Sequence, residues 1–526
     1  MAPMPTARLA HLTLAAALWA VWPAPVAHAQ VQLPALGDSV SGDMDILAEK
    51  RLGERIMREL RRDPDFLDDP TLSEYIDALW QPLLAAARAR GDIDADIDRH
   101  YGWDTFQVQD RSVNAFALPG GHVGINLGLI GMTATSDELA SVLAHELTHV
   151  TQRHIARGMA NSARQSTASM AAMILGLIVA SRARSADAAQ AVIMGSQAAA
   201  IQGQINFTRE MEREADRIGL QLMTTAGFAP GGMAAMFEKL EANGRLNDNN
   251  LYPYLRSHPL TIERISEARL RMQGSAATRT PTLVWHALMQ ARAKALMDRS
   301  DTALQRLQAQ AAPGAPVADL PRLAQLYMAG LASMLLRDFD KAESAIQSGL
   351  ALATQRFAQE PAARRAFMLL KLELPVQQGK PRGTLAAALA DLGDDRSRPA
   401  LLARAQLALV WQRTGDPAAT PVLRSSLEDL QTWVVEHRND ALAWQMMSQV
   451  ADGQGLRLRA LRAGAEAAAA GGDVLGAVER FRTAQQIARE DPASDYVETS
   501  VIQSRLRELE AERRKMMAEA RGERVD

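Results

Sequence analysis

Apolar side chains recur at helical spacing along most of the chain. Asp45 to Leu60 and Thr71 to Arg90 each carry them on one face, which predicts two amphipathic helices. A third helix is predicted to open at Ser136, because the acidic residues that follow it suit the positive end of a helix, and to run to near Gly158.

Between the second and the third of these helices the period becomes alternating. Thr105 to Gln109 and Asn114 to Leu118 follow a period of two, which is typical of half-buried strands. A Pro-Gly-Gly turn at 119–121 then leads into His122 to Asn126. The pattern therefore predicts a small sheet within the helical N-terminal half.

From Leu283 to about Ala520 the pattern is helical almost throughout, which predicts a stack of antiparallel helices. Parts of it fit the 34-residue tetratricopeptide template, although alanine-rich helix pairs satisfy that template easily. The matching positions are Leu326, Ala329, Gly330, Ala342, Ile346 and Gly349 in one repeat, Trp444, Met447, Ala451 and Ala460 in a second, and Ala477, Phe481 and Ala484 in a third. The inner surface of such a stack is a concave groove suited to a peptide or protein.

Two further segments complete the division of the chain. Residues 1–29 resemble a secretory signal, with a single charge before a run of fourteen mostly apolar residues and a small-x-small site that ends at Ala29. The run is shorter than the roughly twenty residues that span a bilayer, which disfavours an uncleaved anchor. Residues 274–282 are small and polar and contain Pro281, as in linkers. The predicted domains are therefore 30–273 and 283–520, in an exported protein cleaved near Ala29.

The segment from Ala168 to Ala180 holds thirteen apolar or small residues between flanking arginines. It is too short to cross a membrane. Two interpretations remain open, a helix buried in the N-terminal domain and an interfacial helix in peripheral contact with lipid or with a membrane partner.

Composition narrows the function. The net charge is −3 and no basic field stands out, which argues against a nucleic-acid partner. The chain contains no cysteine, so disulfides cannot stabilise it outside the cytoplasm and thiol exchange is excluded. The stability of the protein must therefore come from packing and from a bound metal.

The strongest chemical signal is His145-Glu146-Leu147-Thr148-His149 on the third helix. Two histidines four residues apart project from one helical face, and both can reach one zinc ion at roughly 2.0–2.1 Å. Glu146 lies beside the metal, where a carboxylate can take a proton from water and deliver it to the departing amine. Two surface histidines on an amphipathic helix would give the same letters, so a third ligand is required.

A metzincin would supply that ligand from the same segment, but Gln152 and Ile155 stand where it requires glycine and histidine. His154 lies nine residues beyond His145, on the opposite face of a continuous helix, where it would contact solvent or a ligand from behind. A glutamate from a later helix is the remaining source of a third ligand.

The acidic run from Glu210 to Asp216 offers that glutamate. Glu212 and Asp216 are four residues apart, so one can bind the metal while the other accepts the free N–H of a ligating histidine and fixes its tautomer. Glu210 and Glu214 compete for the same roles, and an acidic helix surface is the ordinary alternative for such a run.

HELTH, followed some sixty residues later by EREADRIG, resembles the gluzincin family that includes the CAAX prenyl proteases and bacterial heat-shock membrane proteases. The resemblance implies that Glu212 is the third ligand, that one Zn²⁺ binds per chain, and that Asp216 supports the site from behind. It implies an α-dominated α+β fold, a zincin-type peptidase domain with a small sheet, here followed by an all-α tetratricopeptide-like solenoid. It also implies that the strand Asn114-Ala115-Phe116-Ala117-Leu118 lies along the cleft and pairs with substrate.

The signal, the single catalytic domain and the helical tail resemble a periplasmic branch of that family. This implies a zinc endopeptidase with a chaperone-like role in outer-membrane protein assembly, which degrades misassembled clients. The implied partners are unfolded or misassembled outer-membrane proteins, the β-barrel assembly machinery and lipopolysaccharide transport proteins. A histidine in the Ser257-His258-Pro259 loop implies a fourth, inhibitory zinc ligand, although the same letters also suit an ordinary turn. The alternative function is a non-proteolytic periplasmic chaperone or scaffold with a structural zinc.

Overall fold

The computed structural model describes residues 45–160, 174, 209–246, 252–271, 283–312, 317–381, 383–490 and 495–520. The predicted signal 1–29, the linker 274–282 and all of Ala168–Ala180 except Ile174 lie outside these residues. No helix in the described part of the chain is long and apolar enough to cross a membrane.

The first two helices form where the pattern places them. Helix α1 spans Ile46–Leu60 and helix α2 spans Pro70–Arg90, and the aspartate before each one caps it through its side chain. Gly91 ends α2 in the left-handed conformation that glycine adopts without strain. A short helix α3, Ala95–His100, follows before the sheet.

The sheet has four strands among the described residues, in the order β1-β2-β4-β3. The strands are β1 Phe66–Leu67, β2 Asp104–Val108, β3 Ala115–Leu118 and β4 His122–Asn126. β2 and β4 are parallel, whereas β1–β2 and β3–β4 are antiparallel. The three strands predicted from alternation are confirmed, and β3 is an edge strand of this sheet.

Helix α4, Leu127–Met132, leads into the central helix α5, Ser136–Thr151, almost every residue of which is buried. The cap of α5 is Thr135, one residue before the predicted opening. The prediction that this helix runs to near Gly158 is wrong. The helix ends at Thr151, and a separate helix α6, His154–Ala160, starts after a left-handed residue at Arg153 (φ 51).

Four later helices of the N-terminal domain lie among the described residues: α7 Arg209–Thr225, α8 Gly231–Leu246, α9 Tyr254–Ser257 and α10 Ile262–Arg271. Helix α7 packs directly on α5. A Cβ on Gly219 would lie 3.2 Å from the backbone of Ala144, so the absence of a side chain there allows the two helices to approach closely. This approach brings the acidic run beside the histidines.

The C-terminal region is a stack of antiparallel helices, as predicted. Its helices are α11 Leu283–Leu296, α12 Asp301–Ala309, α13 Asp319–Leu335, α14 Phe339–Arg356, α15 Pro361–Gln378, α16 Leu385–Leu392, α17 Arg398–Gln412, α18 Ala419–Glu436, α19 Ala441–Gly453, α20 Arg457–Ala470, α21 Val474–Glu490 and α22 Tyr496–Ala520. Sequential neighbours such as α13 and α14 pack against each other, which gives the tail its tetratricopeptide-like form.

The helical tail is joined to the N-terminal half by one continuous hydrophobic core and by ion pairs. Three helices of the tail, α11, α15 and α17, contribute arginines to carboxylates at the start of α2: Arg292 to Asp69 at 2.8 Å, Arg365 to Glu74 at 2.7 Å, and Arg398 to Asp68 at 2.7 Å. Because Arg292 and Asp69 are almost fully buried, replacing either one would leave an uncompensated buried charge.

His286 on α11 extends this contact toward the active-site helix. Its imidazole is 1% exposed and lies 2.5 Å from the Tyr75 hydroxyl and 3.0 Å from the carbonyl oxygen of Thr133, just before α5. The structure places it in the interface between the two halves.

Candidate metal centre

Four side chains from three separate segments meet in the interior of the N-terminal domain. His145 and His149 come from α5, Glu212 from α7, and His258 from the loop after α9. Each is at most 2% exposed, and one ligand atom from each lies within 4.8 Å of the others. The structure thus brings together all four residues that the sequence proposed as metal ligands.

The spacing of these donor atoms suits a single small cation. The Nε2 atoms of His145 and His149 are 3.0 Å apart, and the Glu212 carboxylate lies 3.5 Å from each of them. His258 Nδ1 is 2.9 Å from Glu212 Oε1 and 3.3 Å from His145 Nε2. Ligands about 2.0–2.1 Å from a tetrahedral zinc are about 3.3–3.4 Å apart, so the set fits that ion.

The chemistry of the donors agrees with this fit. Two imidazole nitrogens that face each other at 3.0 Å need either a shared proton or a cation between them. Burial lowers the pKa of His149 well below its usual range, and the neighbouring His145 adds to the effect, so the neutral, ligating form of His149 is favoured. Nitrogen and carboxylate donors of this kind are those that zinc prefers.

Glu146 lies beside the four donors and is completely buried. Its Oε2 accepts a hydrogen bond from the backbone N–H of Ala117 on β3 at 3.0 Å, and its Oε1 has no hydrogen-bond partner among the described residues. Burial raises the pKa of this carboxyl. One oxygen is therefore fixed by the edge strand while the other is free to accept a proton.

Asp216 supports His145 from behind, in the role that the sequence suggested. Its Oδ1 lies 3.0 Å from His145 Nδ1, and Arg264 on α10 forms two hydrogen bonds with the same carboxylate at 2.6 and 2.8 Å. Arg264 also lies 2.9 Å from Glu212 Oε2. The sequence did not identify this buried arginine. Its only signal was a positive charge six residues after His258, which could pair with the carboxylates of α7.

Two acidic residues of α7 that competed for these roles lie elsewhere. Glu210 is exposed and lies 3.5 Å from Arg213. Glu214 points to the other side of the helix, where it contacts His154 and Arg157, each at 3.0 Å.

Without a metal ion, the carboxylates around His145 favour its protonated form. Burial acts to lower the pKa of His145, but hydrogen bonds to Asp216 and Glu212 prevail and raise it to about 10. The pKa values of the Glu212 and Asp216 carboxyls are both lowered. Burial acts to raise them, but the charged groups that contact these carboxylates prevail. A metal ion bound here would displace the His145 proton, so its binding would release a proton and would weaken as the pH falls.

The loop that carries His258 is fixed over the cluster. The His258 ring stacks on Tyr254 with centroids 4.6 Å apart, and its Nε2 lies 3.5 Å from Glu146 Oε1. The backbone N–H of Tyr254 donates to the carbonyl oxygen of Val113, two residues before β3 begins. The loop thus contacts the donors, the base and the approach to the edge strand.

The outward groups of β3 follow from its register. Asn126 N–H donates to the Asn114 carbonyl, so residues 114, 116 and 118 bond to β4 and residues 115 and 117 direct their backbone groups away from it. The bond from Ala117 N–H to Glu146 confirms this alternation. The outward edge of β3 therefore lies next to the base.

Comparison with known proteins agrees with the site. Residues 84–272 match the model of peptidase family M48. The chain is 29% identical over 455 residues to the beta-barrel assembly-enhancing protease of Yersinia pestis, and the alignment covers 86% of each protein. Over 249 residues it is 39% identical to the Vibrio cholerae counterpart, which covers 47% of this chain and 49% of that protein. It is also 33% identical over 159 residues to the mitochondrial metalloendopeptidase OMA1 of Arabidopsis thaliana, covering 30% and 29%.

Proposed function

We propose that this chain is a zinc-dependent metalloendopeptidase with a zincin-type domain, as the sequence predicted, and that it acts on unfolded or misassembled outer-membrane proteins; residues 84–272 match the model of peptidase family M48. The observation that carries the proposal is the pairing of a four-donor cluster with a buried, non-ligating carboxylate whose second oxygen is free.

The residues divide the work of hydrolysis. His145, His149 and Glu212 would hold zinc, which supplies a Lewis acid that polarises water and the scissile carbonyl. Glu146 takes the proton of the attacking water and passes it to the departing amine nitrogen. Asp216 and Arg264 hold His145 in the tautomer whose Nε2 faces the cluster.

One observation favours the alternative function. His258 completes a set of four protein donors, and closed sets of four are typical of structural zinc sites. A structural site, however, has no use for a carboxylate beside the donors, and burying Glu146 without a paired charge is costly. The peptidase interpretation accounts for both residues, with His258 as a removable fourth ligand.

The client class rests on the names of the relatives and on the tail. Beta-barrel assembly-enhancing proteases align with this chain, in the Yersinia case along most of its length. We infer that the chain works in the periplasm after removal of residues 1–29. There the helical groove of residues 283–520 would bind clients, the β-barrel assembly machinery or lipopolysaccharide transport proteins.

The direct test uses purified mature protein and an outer-membrane β-barrel protein, either denatured and diluted or folded in detergent. We expect cleavage of the denatured form and little cleavage of the folded form. Chelator should stop the reaction and added zinc should restore it. Cleavage that persists in chelator would exclude a metal-dependent mechanism, and zinc binding without any cleavage would favour the scaffold.

Zinc content provides the first prediction. The mature protein should carry about one zinc per chain, and His149→Ala should lose it, because only His145, Glu212 and the removable fourth donor His258 then remain. Elemental analysis after gel filtration measures this. The matched control is His437→Ala, an exposed histidine of the tail, which should retain full occupancy. Full zinc occupancy in His149→Ala would contradict the assignment.

The edge strand provides the second prediction. A substrate that adds to β3 would bond to the outward backbone groups of residue 115. Ala115→Pro removes one outward N–H without removing a bond to β4, so kcat/KM should fall roughly tenfold, the effect of about one hydrogen bond, while zinc stays bound. Peptide cleavage kinetics measure it.

Ala115→Gly is the matched control, since it keeps the N–H and should cleave nearly as well as the unmodified protein. Ala117→Pro should have a larger effect, because that N–H also fixes Glu146. A folded, zinc-loaded Ala115→Pro protein with an unchanged kcat/KM would show that substrate binds elsewhere.

A further inference from the structure

A second histidine lies behind His149, on the side away from the metal cluster. His154 is fully buried, and its Nδ1 lies 2.9 Å from the Nδ1 of His149. Its other ring nitrogen, Nε2, lies 3.0 Å from Glu214 Oε2. Arg157 holds the same Glu214 oxygen at 3.0 Å from the more exposed side.

The chain takes an unusual backbone path to place this ring. Arg153 adopts φ 51, a left-handed conformation that residues other than glycine rarely adopt. Its side chain is held by the buried Glu49 of α1 at 2.9 Å. In a continuous helix His154 would lie on the face opposite His145. The turn at Arg153 instead places His154 behind His149.

The proton positions follow from the distances. With the Nε2 of His149 directed at the cluster, its Nδ1 carries the proton and donates it to the Nδ1 of His154. His154 then carries its own proton on Nε2 and donates it to the Glu214 carboxylate. The two hydrogen bonds therefore have the same direction, from His149 to His154 and from His154 to the Glu214 carboxylate. Each donated proton has an acceptor.

We propose that His154 and Glu214 are positioning residues for the zinc ligand His149, as Asp216 and Arg264 are for His145. The inference rests on the proposed zinc site. His154 fixes the tautomer and the ring orientation of His149, and the Glu214 carboxylate makes His154 a stronger acceptor. Partners of this kind typically change metal affinity 10–100-fold when they are removed.

The test is zinc affinity, measured by competition with a chelating dye at fixed pH. His154→Phe fills the space of the ring without an acceptor and should weaken zinc binding about 10–100-fold. His154→Asn places an amide oxygen near the position of Nδ1 and should restore the affinity to within about threefold of the unmodified protein. Glu214→Ala should weaken binding by a smaller factor, whereas Glu210→Ala on the exposed face of the same helix should not.

Cobalt substitution supplies a second measurement that does not depend on activity. The visible absorption of bound cobalt reports ligand geometry, so it should change in His154→Phe and return toward normal in His154→Asn. Thermal unfolding of the metal-free proteins separates this role from packing. The phenylalanine variant should unfold close to the unmodified protein without metal and differ from it only when metal is bound.

Each other outcome overturns the proposal. Equal affinity in His154→Phe and the unmodified protein would show that His149 needs no partner behind it. Equal weakening in His154→Phe and His154→Asn, in step with a lower metal-free melting temperature, would make His154 a packing residue. If the unmodified protein itself bound no zinc, the proposed metal site would fail. The zinc content of the unmodified protein and of His149→Ala identifies that outcome separately.

Discussion

Replacing Glu146 with glutamine is expected to reduce peptide hydrolysis by at least about a hundredfold while zinc remains bound. A positioned general base contributes about 10²–10⁴-fold to a rate, and glutamine cannot accept the proton. The change is nearly isosteric. The amide oxygen can still accept the N–H of Ala117, so the edge strand keeps its anchor.

Because of the position of Glu146, the Glu146→Gln variant should separate an effect on hydrolysis from an effect on zinc binding. The carboxylate is not one of the four donors, so its loss should leave zinc occupancy unchanged. Its environment favours a base, since burial raises the pKa of the carboxyl and one oxygen lacks a hydrogen bond. Removing the charge also relieves a desolvation cost, so the free energy of unfolding should not fall.

The measurement is kcat and kcat/KM for a quenched fluorescent peptide, together with zinc content and a thermal melt. Glu138→Gln is the matched control, because it removes another buried carboxylate of the same helix that pairs with Lys239 at 2.6 Å, away from the donors. That variant should lose stability and keep its turnover below its melting temperature. Full activity in Glu146→Gln would mean that another base operates or that a contaminant cleaves the peptide.

The parts of this site that sequence could predict are those set by local geometry. Histidines at i and i+4 on a helix must share a face, so His145 and His149 could be paired from the letters alone. The strands and the first two helices likewise follow from periodicity and caps, and they form within a residue or two of their predicted bounds.

The remaining parts depend on contacts between distant segments. Spacing alone could not decide between Glu212 and its acidic neighbours, because the choice depends on how closely α7 approaches α5 at Gly219. The role of His154 was hidden by the end of the helix at Thr151, since nothing at Arg153 resembles a helix stop. Resemblance to a family supplied Glu212, but it supplied neither Arg264 nor His154.

The tail shows the same limit on a larger scale. Arg292 and Asp69 are separated by 223 residues in sequence, and the buried pair they form has no local signature. Through it the first helix of the tail packs on α2, and His286 of the same helix contacts the carbonyl oxygen of Thr133, two residues before the cap of α5. If clients bind the tail as proposed, these contacts are a short physical route from the tail to helix α5.

The last prediction is that His258→Ala raises basal proteolysis. His258 is 1% exposed and lies among the donors and the base, where it would occupy the position that attacking water needs. A lid closed about 99% of the time leaves roughly 1% of the intrinsic rate, so removing the imidazole could raise basal cleavage, including self-cleavage, by up to about a hundredfold. Zinc should remain on His145, His149 and Glu212.

Basal cleavage of a denatured outer-membrane protein and mass spectrometry of the self-cleavage products measure the effect. Adding Glu146→Gln to the variant should abolish the increase, which assigns it to this active site. Ser257→Ala is the matched control in the same loop, because its hydroxyl contacts only the Tyr254 carbonyl in the described structure and should leave basal activity unchanged. Zinc loss in His258→Ala would instead make His258 an essential structural ligand.

Unchanged basal activity with zinc retained would mean that His258 is an ordinary turn residue without an inhibitory role. A rise in basal activity would also define what a client must do. The loop is fixed by the stacking of His258 on Tyr254 and by the bond from Tyr254 to the strand approach at Val113. A substrate that extends along β3 competes for that edge, so binding and opening become one event. A client can open the loop only by as much as it prefers the open state, and the variant, already open, should lose most of its response to clients.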